Sequence, residues 1–209
     1  ICDHRSSQPT LDELLRVAAD AHVGGLLTGK AGVLHLHLGD GARGLSLVRE
    51  ALAGSELPAR VFHPTHVNRR KALFDEAVAL AKQGCTIDIT AFPVDENEDA
   101  WPADEALLRY LDSGAPAERV TVSSDGGGCL PHFDGDGRVV HMDIGSPSSL
   151  AETLRNLLLR GQDLARVLPA FTLNPARLLR LRGKGEVAVG SDADVVVLDE
   201  EHRVNDVMI

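Results

Sequence analysis

Aromatic residues, long apolar runs and positive charge are all scarce in this sequence of 209 residues. Phe, Trp and Tyr make up only 3% of the chain, a composition that favours a mixed α/β fold with closely packed helices over a β-sandwich. No apolar stretch approaches the roughly 20 residues that a membrane span requires. A formal net charge of -10 argues against nucleic acid or an anionic membrane as a partner, because both require a basic surface.

Cysteine is sparse as well. Cys2, Cys85 and Cys129 lie far apart in the chain. This spacing is expected for free thiols in a reducing compartment, so we expect a cytoplasmic protein. The sequence begins at Ile1 without an initiator methionine, which we interpret as a fragment or a processed product. Its 44% hydrophobic content is enough for a sizeable core in one domain with a small appendage.

Short apolar strands alternate with amphipathic helices along most of the chain. Strands are predicted at 33–38, 60–63, 86–90 and 119–124, and helices at 11–21, 43–53, 71–82, 104–111, from 149 onward and up to 179. Such alternation is typical of parallel βα units. A closed eight-unit barrel takes ~250 residues. The count therefore predicts either an open sheet or half of a barrel whose first half is missing.

The remaining stretches carry turn signals. Residues 126–145 are predicted to form a polar, glycine-rich loop, and Ser149 with Glu152 predicts a capping box at the next helix. Two short apolar runs within 183–198 are separated by turn residues, which predicts a β-hairpin in a small separate module. We therefore divide the chain into a barrel-type part, 1–182, and a β-sandwich segment, 183–209.

Polar side chains follow the ends of three predicted strands. His37 precedes Gly-Asp, His66 lies in Pro-Thr-His-Val-Asn-Arg, and Asp125 precedes three glycines. Two imidazoles and a carboxylate from one sheet could hold a divalent metal such as Zn²⁺ and activate water. The alternative is structural: Ser-Asp-Gly is ordinary turn chemistry, and a single His on a strand is usually a satisfied structural residue. By residue type alone, His35 is as good a candidate as His37.

Other residues have more than one interpretation. Arg5 and Arg69 could grip the carboxylate of an anionic substrate, although a surface salt bridge explains either one alone. The glycines at 126–128 could present N–H groups to an anion or simply form a tight turn. Structural roles are expected for the other histidines outside the strand ends, namely His4, His22, His132, His141 and His202.

Several motifs together resemble the amidohydrolase superfamily. They are Leu-His-Leu-Gly-Asp at 36–40, Pro-Thr-His-Val-Asn-Arg at 64–69, Ser-Ser-Asp-Gly at 123–126, Asn-Pro-Ala at 174–176 and the segment 184–194 with its Gly-Ser-Asp-Ala-Asp. Within the superfamily, Asp-His-Arg-Ser-Ser at 3–7 and His-Val-Gly-Gly-Leu-Leu at 22–27 are similar to the isoaspartyl (β-aspartyl) dipeptidases. The resemblance spans essentially the whole chain.

The resemblance implies a (β/α)₈ barrel with a small β-sandwich, two zinc ions per active site, and hydrolysis of a small acidic dipeptide. It implies that His37, His66 and Asp125 are metal ligands, and that Asp125 is also the catalytic proton shuttle. Substrate contacts are implied for Arg5 and Arg69, and for Cys129, which stands where the family has a serine. It further implies that His35 and His63 are not ligands, and that the protein is a homo-oligomer.

The chain departs from the family pattern in one important respect. The His-x-His pair of the family's first strand and its carboxylated, metal-bridging lysine have no counterpart in this sequence, so we expect only the C-terminal half of the barrel and part of the metal site. Two alternatives follow. The protein could be another amidohydrolase, such as a dihydroorotase-like enzyme or an N-acyl amino acid deacetylase, or it could be a non-catalytic remnant.

Overall fold

The computed structural model describes residues 1–4 and 6–209, with the side chain of Phe133 left out. Its helices are α1 (Leu11–Thr28), α2 (Ser46–Gly54), α3 (Lys71–Gln83), α4 (Ala103–Asp112), α5 (Ser148–Leu159), α6 (Leu164–Val167) and α7 (Leu173–Leu178). Its strands are β1 (Leu34–His37), β2 (Phe62–Thr65), β3 (Ile87–Thr90), β4 (Val120–Ser123), β5 (Cys129–Phe133), β6 (Val139–Ile144), β7 (Val195–Leu198) and β8 (Val204–Met208). Within the described residues, no helix combines the length and apolar character needed to cross a bilayer.

The first four strands form the centre of the molecule and run parallel, as the alternation predicts. β1 pairs with β2 and β3 pairs with β4, and β2 lies beside β3. Helices α2, α3 and α4 connect successive strands, which is the arrangement of consecutive βα units. The described part of the chain contributes four such strands and does not close into a barrel.

The two faces of this sheet differ sharply in polarity. Side chains alternate between faces along each strand, and register partners in a parallel pair share a face. One face is apolar and packs against the helices, with buried side chains that include Leu36, Phe62, Ile87, Ile89 and Val120. The other face is polar and comprises His35, His37, His63, Thr65, Asp88, Thr90, Thr121 and Ser123. The sequence therefore places ionisable and hydroxyl groups where most barrel interiors carry branched aliphatic residues.

Helix α1 continues beyond its predicted end. It runs to Thr28 and ends at Gly29, whose φ of 70° is left-handed. The predicted end of this helix at residue 21, before Gly24 and Gly25, is wrong: both glycines lie within the helix, and Gly25 allows a close approach to another segment. A Cβ at Gly25 would lie 2.5 Å from the Cα of Gly32, so only glycine fits at this crossing.

Three further predictions require correction. Residues 126–145 are not only a loop, since β5 and β6 form an antiparallel hairpin within them. Helix α5 begins at Ser148 without a side-chain cap, so the capping box at Ser149 is wrong. The tail does contain a hairpin, but it pairs β7 with β8, because the apolar run at 187–189 stays outside it as an exposed turn segment.

Candidate active site

The ends of β1, β2 and β4 bring three predicted site residues together. His37 is the last residue of β1, whereas His66 and Asp125 follow the ends of β2 and β4. Both of the latter have left-handed backbones, with φ values of 63° and 48°. A left-handed residue directly after a strand turns the chain sharply, and these turns direct both side chains back over the ends of the strands. The sequence predicted that these three side chains lie at strand ends, but it did not predict the left-handed backbone of His66 and Asp125.

The donor atoms of His37 and His66 converge. Nδ1 of His37 lies 3.0 Å from Nε2 of His66, and the same Nε2 lies 4.0 Å from Oδ2 of Asp125. The other ring nitrogen of His66, Nδ1, lies 2.8 Å from the hydroxyl of Thr90. One ring nitrogen of His66 therefore contacts Thr90 at the end of β3, while the other, Nε2, faces His37 and Asp125.

The donor set suits a borderline divalent cation only in part. Imidazole nitrogens about 2.0–2.1 Å from a tetrahedral zinc ion lie roughly 3.3 Å apart, close to the separation of the His37 and His66 nitrogens. Across residues 1–4 and 6–209, however, no group of three or more His, Cys, Asp or Glu residues has the arrangement needed to hold a metal ion. The chain therefore supplies two converging nitrogens and one nearby carboxylate.

Burial keeps the inner histidines neutral. Desolvation lowers the pKa of His66 to about 3, with a further contribution from the positive charge of Arg69. Desolvation also lowers the pKa of His63 to about 3, assisted by His35. A neutral imidazole retains a lone pair on one ring nitrogen, which is the form required of a metal ligand.

A cavity of about 1160 Å³ opens over these groups. Its lining includes His37, His66, Asp125, Arg69 and Cys129. The guanidinium of Arg69 lies 3.7 Å from the carboxylate of Asp40, with which it forms a partly exposed ion pair. Cys129 is exposed at the start of β5, so the hairpin forms part of the cavity wall.

Arg5, the other predicted substrate-binding cation, lies outside the described residues. The cavity lining does include its neighbours Asp3 and Ser6. The predicted role of Arg5 therefore stays a prediction.

The glycines after Asp125 form a turn. Gly127 N–H donates to the carbonyl of Gly145 at 2.9 Å, and Gly128 N–H donates to the carbonyl of Asp125 at 2.8 Å. Gly126 N–H donates to the hydroxyl of Ser124 at 3.2 Å. These N–H groups are occupied within the loop, which favours the tight-turn interpretation. A Cβ at Gly128 would lie 2.7 Å from the Asp125 carboxylate, so the missing side chain makes room for that group.

The sequence interpretation missed a polar network below the site. Nδ1 of His35 lies 2.9 Å from Nδ1 of His63, whose Nε2 lies 3.2 Å from the hydroxyl of Thr121. The buried carboxylate of Asp88 accepts hydrogen bonds from Thr121 and from two further hydroxyls. Desolvation raises the pKa of Asp88 to about 6. The alternation in Thr-Ile-Asp-Ile-Thr at 86–90 could have placed Asp88 on the polar face.

The exposed hairpin contains a smaller ionic group. Asp143 lies 2.9 Å from Nε2 of His132 and 2.8 Å from Nε2 of His141; the first pair joins β5 to β6, and the second lies within β6. The structural interpretation of both histidines agrees with these contacts. Because His132 and Asp143 also line the cavity, the hairpin gives that wall polar side chains.

The chain is similar in sequence and in structure to known proteins. Residues 29–209 match the model of the amidohydrolase family. The chain belongs to this family. A crystal structure of β-aspartyl dipeptidase from the thermophilic, keratin-degrading Fervidobacterium islandicum AW-1, in complex with the β-Asp-Leu dipeptide, is similar to the whole chain, with 42% identity and a TM-score of 0.90. A second structure of β-aspartyl dipeptidase from the same organism has 38% identity and a TM-score of 0.85.

The matches with these two structures cover 100% of this amidohydrolase chain but only 54% and 52% of the solved chains. The chain thus spans about half the length of these relatives. The resemblance to isoaspartyl dipeptidases that the sequence motifs indicated is confirmed by this similarity. The roles of the individual site residues stay predictions.

Proposed function

We propose that this amidohydrolase chain forms part of an enzyme that hydrolyses β-aspartyl dipeptides with the help of a divalent metal, which we propose to be zinc. One observation carries the proposal: Nδ1 of His37 and Nε2 of His66 converge beside Asp125 in the cavity that also contains Arg69. The 42% identity to a β-aspartyl dipeptidase that was crystallised with β-Asp-Leu supports the choice of substrate.

His37 and His66 would hold one metal ion, and Asp125 would contribute to a second. When bound, the metal supplies a lower pKa for water and polarisation of the scissile carbonyl. The ligands missing from this chain, the His-x-His pair of the family's first strand and a carboxylated lysine, would come from the part of the family fold that this chain does not match. The donor chemistry of two neutral imidazoles suits zinc.

Asp125 would move the proton. Its Oδ2 lies beside His66 at the mouth of the cavity, where it can take a proton from the attacking water and return it to the leaving amine. The loop fixes this carboxylate, because Gly128 has no side chain to displace it.

Arg69 would orient the substrate by pairing with a carboxylate of the dipeptide. Arg69 lines the same cavity as His37 and His66, and it forms an ion pair with Asp40 there. A guanidinium binds a carboxylate through two parallel hydrogen bonds, which fixes the orientation of the substrate. Arg5 would contribute a second such contact, and Cys129 would contact the substrate from the hairpin.

We also propose a cytoplasmic, homo-oligomeric enzyme. The three cysteines are free, and Cys2 and Cys85 are buried, which is compatible with a reducing compartment. The homo-oligomer follows from the family resemblance alone. Size-exclusion chromatography with light scattering measures the state of assembly directly.

The function is tested with a panel of substrates. Residues 1–209 are assayed alone and after fusion to the part of the Fervidobacterium islandicum relative that they do not match, with zinc present. Hydrolysis of β-Asp-Leu but not of α-Asp-Leu supports the proposal. Turnover of dihydroorotate or of N-acyl amino acids instead would assign the chain to another amidohydrolase activity. A folded fusion that hydrolyses none of these would indicate a non-catalytic remnant.

A further inference from the structure

Asp88 is the centre of the polar network on the inner face of the sheet. The residue is buried, with 3% of its surface exposed, and its carboxylate accepts three short hydrogen bonds. Oδ2 accepts from the hydroxyls of Thr65 and Ser123, each at 2.6 Å, and Oδ1 accepts from the hydroxyl of Thr121 at 2.5 Å. An ionised carboxylate can only accept, whereas a hydroxyl has a single hydrogen to donate. The hydrogen of each of these hydroxyls is therefore committed to Asp88.

The hydrogen bonds next to Asp88 are fixed by this commitment, and one arrangement from Asp88 to His66 pairs every hydroxyl. Thr65 donates its hydrogen to Asp88, so towards Thr90 it can only accept, over an oxygen–oxygen distance of 3.4 Å. In that arrangement Thr90 donates to Thr65 and accepts from Nδ1 of His66 at 2.8 Å. His66 then carries its proton on Nδ1, which leaves the lone pair on Nε2, the atom that faces His37.

Each series of hydrogen bonds that leads from Asp88 to a histidine is called an arm below. The first arm leads to His66, and a second arm leads to His63. Thr121 donates to Asp88 at 2.5 Å, while its alternative acceptor, the carbonyl of Ile87, is at 3.5 Å. Thr121 can then only accept from Nε2 of His63 at 3.2 Å. His63 carries its proton on Nε2, and its Nδ1 accepts from His35 at 2.9 Å.

We propose that Asp88 is a positioning residue that fixes the tautomers of His66 and His63 through two separate threonine arms. One arm passes through Thr65 and Thr90, and the other passes through Thr121. The arms assign opposite tautomers to the two histidines, with the proton of His66 on Nδ1 and that of His63 on Nε2. The tautomer of His63 follows from the donors of its arm, and that of His66 follows from the arrangement that pairs every hydroxyl, whereas the consequence for metal binding rests on the proposed function.

The consequence for metal binding lies in the lone pair of Nε2. Histidine ligands of metals usually donate the proton of their other ring nitrogen to a carboxylate, a carbonyl or water, and loss of that partner costs roughly 10–100-fold in metal affinity. In this chain the carboxylate of Asp88 does not contact His66 directly but is linked to it through the hydroxyls of Thr65 and Thr90. Asp88 thereby keeps the Nε2 of His66 available as a donor without contacting it.

The test reads the ring nitrogens directly by long-range ¹H–¹⁵N correlation NMR on the metal-free 209-residue chain at neutral pH. In the wild type, His66 should show a protonated Nδ1 and His63 a protonated Nε2. Thr65→Val removes the hydroxyl from only one arm, and Thr121→Val removes it from only the other. Thr65→Val should therefore mix the tautomers of His66 alone, and Thr121→Val those of His63 alone.

Asp88→Asn should disturb both histidines, because an amide can donate to a hydroxyl and so reverse the direction of an arm. Competition with a chromophoric chelator should show zinc affinity lowered roughly 10–100-fold by Thr65→Val and little changed by Thr121→Val. A protonated Nε2 on His66 in the wild type would overturn the proposal. An unchanged His66 tautomer in Thr65→Val would also overturn it. The Thr65→Val variant provides this test even if Asp88→Asn fails to fold. The zinc competition is carried out on the fused enzyme, which supplies the remaining ligands; correct tautomers in the chain with no zinc binding by the folded fused enzyme would instead count against the proposed function.

Discussion

Nδ1 of His37 and Nε2 of His66 lie 3.0 Å apart although 29 residues separate them in sequence. A separation this short between two lone-pair atoms requires a shared proton or a shared cation. With the proposed tautomer of His66, Nδ1 of His37 donates to Nε2 of His66 in the metal-free chain, and a bound cation would replace that proton. Metal binding should therefore compete with a proton at this pair.

The first prediction concerns this pair. His37→Ala should lower zinc affinity by more than the roughly 10–100-fold that loss of a supporting contact costs, because a ligand itself is removed. His35→Ala removes an imidazole from the same strand face but should leave zinc affinity almost unchanged. Chelator competition measures both, and equal losses in the two variants would contradict the assignment of His37.

Asp125→Asn should abolish hydrolysis of β-Asp-Leu in the fused enzyme described above. The amide cannot accept the proton of the attacking water, and general-base catalysis typically contributes about 10²–10⁴-fold in rate. The fold should persist, because asparagine tolerates the left-handed backbone at this position. Circular dichroism provides the control for folding. Near-normal kcat in a folded variant would show that Asp125 is not the proton shuttle.

Arg69→Gln should raise KM for β-Asp-Leu by roughly 10–100-fold, in line with the loss of a hydrogen bond between charged groups. The effect on kcat should be smaller, because the pairing holds the substrate before and during the reaction. Arg70→Gln is the matched control, since Arg70 donates to the backbone carbonyl of Asp40. An equal KM effect in both variants would indicate a general loss of positive charge.

Asn68→Ala should lower the free energy of unfolding by roughly 2–4 kcal/mol, because three hydrogen bonds are lost and two of them are to the backbone of the buried Thr90. The Asn68 amide donates to the carbonyls of Thr90 and Trp101, and its oxygen accepts from Thr90 N–H. Asn205→Ala, at an exposed position, should change stability by less than about 0.5 kcal/mol. Urea titration monitored by circular dichroism compares the two variants.

Stability should also depend on pH through His63. Its pKa is about 3 in the folded chain against about 6.5 when unfolded. Between these values the unfolded chain binds more protons, so the free energy of unfolding falls as pH falls from about 6.5 towards 3, by up to about 1.4 kcal/mol per pH unit. Asp88, with its pKa raised to about 6, acts in the opposite direction between about pH 4 and pH 6.

Two variants separate these contributions to the pH dependence. His63→Gln should flatten the fall in stability below pH 6.5, whereas Asp88→Asn should make it steeper because the opposing group is removed. Urea titrations at several pH values measure both slopes. An unchanged slope in His63→Gln would contradict the assignment of the acid sensitivity to His63.

The sequence predicted the site better than the structure around it. Strict alternation placed His35 and His37 on one face, and strand ends located His66 and Asp125, because period and chain order are local properties. The hydrogen bonds of Asp88 join three strands, and no local pattern specifies which hydroxyls meet across a sheet. The β5–β6 hairpin was missed because its strands are polar and exposed, without the apolar alternation that marks a half-buried strand.

The left-handed backbones of His66 and Asp125 carry a further consequence. Such a conformation costs a non-glycine residue about 1–3 kcal/mol, and glycine adopts it without that cost. At these two positions the backbone conformation favours glycine, whereas the proposed chemistry requires an imidazole and a carboxylate. Replacement of either residue by glycine would relieve backbone strain while removing a functional group. A lineage released from selection for activity could lose this site early, with the rest of the sheet intact.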